Sequence, residues 1–168
     1  MSRWFAVILI AVLALAGANA NAASPLHVRQ AVDIAATPDK VWAIMGNFDA
    51  LSAWHPVVAS SPADKGNTIG SVRSLTLKAD GNPGFTEKLI KYSAAKYSYT
   101  YDITQTQKVL PVVNYRATIT LTKTATGTKV TWRASFHAAP GAENQAAIDA
   151  ITGVFRGGLD NLKIMAEK

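Results

Sequence analysis

The sequence predicts an α+β fold in which a curved antiparallel sheet wraps around one long C-terminal helix, with two short helices after the first strand. Three observations lead there. Between residues 70 and 136, apolar side chains recur at every second position in short segments divided by turn residues, the pattern of strands with one buried face. From Glu143 to Lys168 the apolar spacing changes to three and four, the pattern of an amphipathic helix. Between these blocks and the first strand lies a helix start, Thr37-Pro38-Asp39.

The first strand is expected over His27 to Ala35, with Val28, Val32 and Ile34 on one parity. Thr37 then caps a helix, Pro38 fits its first position, and Asp39 suits the positive end of its dipole. Val41, Trp42, Ile44 and Met45 form its buried stripe. A second short helix is expected over Asn47 to Trp54, stopped by Pro56. Gly70 to Lys78 places Arg73, Leu75 and Leu77 on one face, and residues 79–84 (Ala-Asp-Gly-Asn-Pro-Gly) turn the chain. Phe85, Glu87 and Leu89 share the inward parity of the next strand; Tyr97, Tyr99, Tyr101 and Ile103 share that of the one after. Beyond a loop to Pro111, Val113, Tyr115, Ala117, Ile119 and Leu121 alternate with polar residues. Ala125-Thr126-Gly127 turns the chain into Val130, Trp132, Ala134 and Phe136. A sheet with one apolar face needs a cover. Ile148, Ile151, Phe155, Leu159 and Leu162 of the last helix supply it.

Residues 1–22 read as a secretory signal peptide, leaving residues 23–168 as one domain. Arg3 provides the basic start, Trp4 to Ala16 the apolar run, and Ala20-Asn21-Ala22 a small-residue cleavage site, with Ala18-Asn19-Ala20 as the competing one. The run is short for a membrane span, and no second one follows. The expected location is therefore periplasmic or secreted, without stable membrane insertion after cleavage. There is no cysteine, hence no disulfide, thiol nucleophile or acylated cysteine. Lysine and arginine total 17 against 11 acidic residues; setting Arg3 aside leaves an excess of +5. The basic residues are scattered, so nucleic acid is not an expected partner. They leave room for electrostatic steering toward a periplasmic protein partner.

Several blocks resemble a known group. Residues 36–42 (ATPDKVW) and 48–56 (FDALSAWHP) are similar to the start of bacterial polyketide-cyclase/dehydrase-type proteins of the SRPBCC (START/Bet v 1) superfamily. Gly70-Ser71-Val72-Arg73, Glu87-Lys88-Leu89, Tyr99-Thr100-Tyr101, residues 111–115 (PVVNY), Val130-Thr131-Trp132 and residues 158–163 (GLDNLK) resemble its later blocks, in the same order. The resemblance spans nearly all of the chain after the leader. It implies the helix-grip fold, a cavity between sheet and helix, and an exported member of the group. The inward aromatic face and the missing catalytic constellation point, within such a cavity, to a binding protein for a small hydrophobic or aromatic molecule. The alternatives the resemblance carries are a cyclase/dehydrase-like enzyme, and an accessory to a periplasmic oxidoreductase system, since some exported relatives accompany methanol oxidation.

Candidate ligand-binding residues come from the inward parity. If the turn pairs Leu77 with Phe85, Arg73 and Glu87 lie diagonally on the apolar face, where a charge needs a partner or a wet cavity. Leu75 and Leu89 flank them; Tyr99, Tyr101, Tyr115 and Trp132 offer mid-strand rings with hydrogen-bonding tips, and Phe155 faces them from the last helix. Trp54 and His55 end the second short helix near the expected cavity mouth. His55 is a candidate acid or base; the plain alternative is a partly exposed histidine at a helix end. No histidine pair has ligand spacing, so neither a metal site nor a cofactor is expected, and no catalytic residue is assigned. Gly157 or Gly158 is read as a place of close approach or of cavity volume.

Overall fold

The computed structural model describes residues 24–105 and 109–168, so the expected signal peptide lies outside the described residues. The elements run β1 (Leu26–Ile34), α1 (Pro38–Met45), α2 (Leu51–Trp54), β2 (Val58–Ser60), β3 (Val72–Leu77), β4 (Gly84–Ser93), β5 (Ser98–Gln105), β6 (Val112–Thr124), β7 (Gly127–Ala138) and α3 (Asn144–Ala166). One seven-stranded sheet has the order β1-β7-β6-β5-β4-β3-β2. Every neighbouring pair is antiparallel. The sheet curves around α3, and α1 and α2 pack against that helix, which is the helix-grip arrangement.

The alternation anticipated from the sequence forms the core. Leu75, Leu89, Tyr99, Tyr101, Ala117, Ile119, Val130, Trp132 and Phe136 are buried on the sheet side, Ile151, Phe155, Leu159 and Leu162 on the helix side. Trp132 stacks on Phe155 at 4.2 Å between ring centroids, 13° from parallel. Sheet and helix therefore meet ring to ring.

Helix α1 starts as its sequence dictates. The Thr37 side chain accepts from the Lys40 backbone N–H, and Pro38 opens the first turn. The second helix is shorter than expected, because residues 47–50 spend their polar groups elsewhere. The Phe48 N–H donates to Asn67 Oδ1 (2.8 Å), and the Asp49 carbonyl accepts from Ser61 Oγ (2.6 Å). Ser61 Oγ also receives the Ser52 N–H, capping α2 from across the chain.

Three backbone irregularities correct the simple alternation. The turn after β3 sits earlier in the chain than a Leu77–Phe85 pairing requires: Leu75 faces Phe85 and Thr76 faces Gly84, so Arg73 lies directly opposite Glu87 and not diagonal to it. Gly84 is needed there, because a Cβ would run into the Leu75 carbonyl. In β6 the register slips between Val113 and Arg116, and Asn114 takes a φ of 52°. This bulge inverts the parity upstream: Val112 is buried and Val113 exposed, the reverse of the expected assignment. Tyr97 precedes β5 with a φ of 46° and is not a strand residue; its ring packs on Trp42, and its hydroxyl donates to Asp39 Oδ1 (2.5 Å).

Gly158 is where α3 approaches most closely. A Cβ there would lie 2.6 Å from His55 Cδ2 and 3.0 Å from the Trp132 ring, while Gly157 faces open space. Close approach is thus assigned to Gly158 alone. Gly158→Ala should lower the unfolding free energy by about 1–3 kcal/mol through overpacking, despite alanine's better helix propensity. Gly157→Ala should raise it by about 0.5–1 kcal/mol. Denaturant titration of the two variants checks both signs.

Candidate functional site

The inner face of β3 and β4 carries two charges inside an apolar layer. Arg73 is 0% and Glu87 3% exposed, so neither reaches bulk water. Isolated, either charge would be costly; together they neutralise one another. Arg73 Nε donates to Glu87 Oε2 at 2.5 Å, and Nη1 donates to the Phe48 carbonyl at 2.6 Å. The guanidinium also lies over the rings of Phe48 (4.3 Å) and Tyr101 (5.0 Å), a cation–π environment on two sides. Burial works against the charge on Arg73, but the Glu87 carboxylate outweighs it and holds the guanidinium protonated. Burial pushes the Glu87 carboxyl above its ordinary range, and Arg73 opposes that rise.

A row of rings continues from this pair. Trp132 Nε1 donates to Tyr101 Oη at 3.0 Å. Burial raises the phenol pKa values of Tyr99, Tyr101 and Tyr115, so all three stay protonated as hydrogen-bonding groups. Tyr99 lies close enough to Arg73 for the guanidinium to oppose that rise. Even so, Tyr99 Oη and Arg73 Nη2 have no well-formed hydrogen bond.

His55 is buried, 2% exposed, which corrects the reading of a partly exposed helix end. The glycine at 158 lets its ring reach α3, where Nε2 lies 2.9 Å from the Val154 carbonyl. A carbonyl only accepts, so Nε2 carries the proton. Nδ1 is then a bare lone pair, enclosed and without a hydrogen-bond partner. Desolvation lowers the imidazole pKa below 6.5, the Val154 bond works against that, and the Arg73 charge adds to the lowering. The neighbouring Trp54 is buried, with its Nε1 unpartnered, and its backbone carbonyl accepts from Asn161 Nδ2 of α3 at 2.7 Å. Both residues are therefore clamped between α2 and α3.

Some of these groups border a cavity of about 50 Å³ between sheet and helix. Leu51, His55, Val57, Val58, Leu77, Phe85, Glu87, Tyr101, Ile103, Leu110, Tyr115, Trp132, Ile151 and Val154 line it. A space of that size admits water or a few heavy atoms, well below the roughly 300 Å³ of an ordinary small-molecule pocket. Among the described residues, no three His, Cys, Asp or Glu side chains are grouped to hold a metal ion.

Comparison with known proteins places this interior. The sequence matches the family model described as polyketide cyclase / dehydrase and lipid transport over residues 25–167. The chain belongs to that polyketide cyclase/dehydrase and lipid-transport family. Its structure is similar to the protein XoxI of Bacillus cereus, at 26% identity and a TM-score of 0.74, over 83% of this chain and 94% of that one. It is similar to an uncharacterised protein of Bacillus thuringiensis at 25% identity and a TM-score of 0.75, over 85% and 100% of the two chains. A protein of Nitrosospira multiformis shares the fold at 21% identity and a TM-score of 0.68, over 83% and 94%. No curated protein matches. Membership in the polyketide cyclase/dehydrase and lipid-transport family suggests a hydrophobic ligand-binding protein. Among the described residues, no helix is long and apolar enough to cross a membrane.

Of the residues singled out in the sequence of this family member, Glu87, Tyr101, Tyr115, Trp132 and His55 come together on the cavity wall. Arg73 lies behind Glu87 and reaches the cavity only through it. Leu75, Leu89, Tyr99, Trp54 and Phe155 are buried core and do not border the cavity. The lining residues missed are mostly aliphatic: Leu51, Val57, Val58, Leu77, Ile103, Leu110, Ile151 and Val154, with Phe85 the one ring. Helical spacing already marked Ile151, whereas Val57 and Leu110 lie in irregular segments and Val58 opens a three-residue strand too short to carry a parity signal.

The lowered His55 pKa has a definite sign. Between the folded value and 6.5 the unfolded chain binds the extra proton, so stability is full above pH 6.5 and falls as the pH drops below it. The slope approaches about 1.4 kcal/mol per pH unit for one group. Unfolding free energies measured from pH 7.5 to 5 should fall more steeply for the wild-type chain than for His55→Gln.

Proposed function

We propose that this protein binds a small hydrophobic or aromatic molecule between the sheet and α3, in the periplasm, after loss of residues 1–22. The observation that carries this reading is the enclosed, unpartnered Nδ1 of His55, whose residue borders a cavity otherwise lined mainly by apolar side chains. A buried acceptor without a partner costs about 1–3 kcal/mol, and a ligand hydroxyl or N–H would recover it. Glu87 offers a carboxylate on the same wall, and Tyr101, Tyr115 and Trp132 offer ring faces. The ligand that fits is therefore an apolar or aromatic body bearing one donor group. Its accommodation requires the wall to open, and half-exposed Leu110 and exposed Val57 are the lining residues freest to move.

Acid–base chemistry is the second reading, and the same lone pair favours it. A neutral imidazole on the same cavity wall as a buried carboxylate has the form of a general base. Turnover of a ligand, lost in His55→Gln while binding survives, would select this reading.

The binding reading is tested by native mass spectrometry of the protein purified gently from its own host. A discrete added mass, released on denaturation, is the expected result. Val154→Phe, which pushes a ring into the cavity, should weaken rebinding of the released molecule at least tenfold with the fold intact. A protein that is empty from its host and takes up no extracted small molecule would overturn the proposal.

A further inference from the structure

The sheet has a seam. Among the described residues, strands β5 and β6 pair from Ser98↔Thr120 to Asp102↔Arg116 and no further. Beyond that rung they part. Ile103 and Gln105 stay with β4, opposite Glu87 and Thr86. Val112 and Val113 stay with β7, opposite Ala138 and His137. The bulge in β6, with Asn114 at a φ of 52°, lies at the point of divergence. The last shared rung is clasped on the outer face by a two-pronged ion pair, Arg116 Nε to Asp102 Oδ1 at 2.6 Å and Nη2 to Oδ2 at 2.7 Å.

The parting leaves a groove of about 750 Å³ on the outside of the sheet, bordered by Asp102, Ile103 and Thr104 on one bank and residues 112–116 on the other. Ile103 and Tyr115 line both this groove and the interior cavity. Among the described residues, these two side chains thus stand between the outside and the interior, at a place where no backbone ladder joins the strands. Elsewhere in the sheet, passage between strands would break interstrand hydrogen bonds; here it requires only side-chain rotation.

We propose that the β5–β6 seam is the route by which the ligand enters and leaves, with Ile103 and Tyr115 as its inner door and the Asp102–Arg116 pair as the clasp that limits its opening. This rests on the binding role proposed above. The ligand class it implies is an amphiphile. The apolar end passes Ile103 and Tyr115, and the polar end meets Asp102, Thr104, Asn114 and Arg116 on the groove's banks. The groove is large enough for a small molecule where the interior alone is not.

The chain lacks cysteine, so a single introduced thiol can be labelled cleanly. Thr104→Cys, exposed and outside the interior cavity, is labelled with a pyrenyl maleimide to plug the groove; Thr122→Cys, exposed elsewhere on β6, is the control. The probe is anilinonaphthalene sulfonate, with association and dissociation followed by stopped-flow fluorescence quenching or enhancement of the probe. The plug should slow both rates at least tenfold, and the control label should leave them unchanged. Asp102→Asn, which loosens the clasp, should speed both rates several-fold. Equilibrium binding by the unlabelled protein reports on the binding role, and the rates report on the route. Unchanged rates in the plugged protein and in Asp102→Asn, with binding intact, would overturn the seam and leave the binding role standing. Failure of the unlabelled protein to bind the probe at all would count against both.

Discussion

An arginine wholly enclosed by apolar side chains can exist only with a countercharge in contact, and this constraint organises one end of the molecule. Arg73 and Glu87 face one another across β3 and β4. Their contact requires this register, since a slip of one residue would turn Glu87 to the outer face. The second guanidinium prong fixes the Phe48 carbonyl, and with it the turn that leads into α2. The rings of Phe48 and Tyr101 close over the cation. One electrostatic requirement thereby ties two strands, a turn and two rings together. It also puts a carboxylate on the cavity wall.

The helix side answers with a second constraint. Gly158 brings α3 within reach of His55, and the Val154 carbonyl fixes the ring's tautomer. The result is a neutral imidazole with an enclosed free lone pair, on a residue that shares a cavity wall with Glu87. Desolvation lowers the basicity of one group and raises that of the other, bringing their proton affinities toward each other. Such a wall can orient a ligand through a donor group, and it is also the raw material of acid–base chemistry. The small volume of the interior fits a protein that opens for its ligand better than one that holds a standing vacancy.

Much of this was legible in the amino-acid order. Period-two alternation identified nearly the whole inner face, because burial of one sheet face leaves little freedom in residue type. The capping signal at Thr37 and the apolar spacing from Ile148 to Leu162 placed α1 and α3 equally well. What escaped were features that depend on single backbone irregularities. The Asn114 bulge exchanged Val113 for Val112 on the inner face, and the shifted register at the turn before Gly84 moved Arg73 from diagonal to opposite Glu87. The burial of His55 depends on a glycine roughly a hundred residues away. No local pattern reports such a contact. The divergence of β5 from β6 is likewise a matter of which neighbour each strand end follows, and residue type does not record it.

The most direct test of the central constraint is a double-mutant cycle on the buried pair, read by denaturant unfolding. Arg73→Met and Glu87→Met should each cost about 3–5 kcal/mol, because each leaves a charge or carboxyl enclosed without its partner. The double variant should cost far less than their sum, with a coupling of at least about 2 kcal/mol. Additive effects, with each single variant costing under about 1 kcal/mol as at an ordinary surface site, would contradict the account.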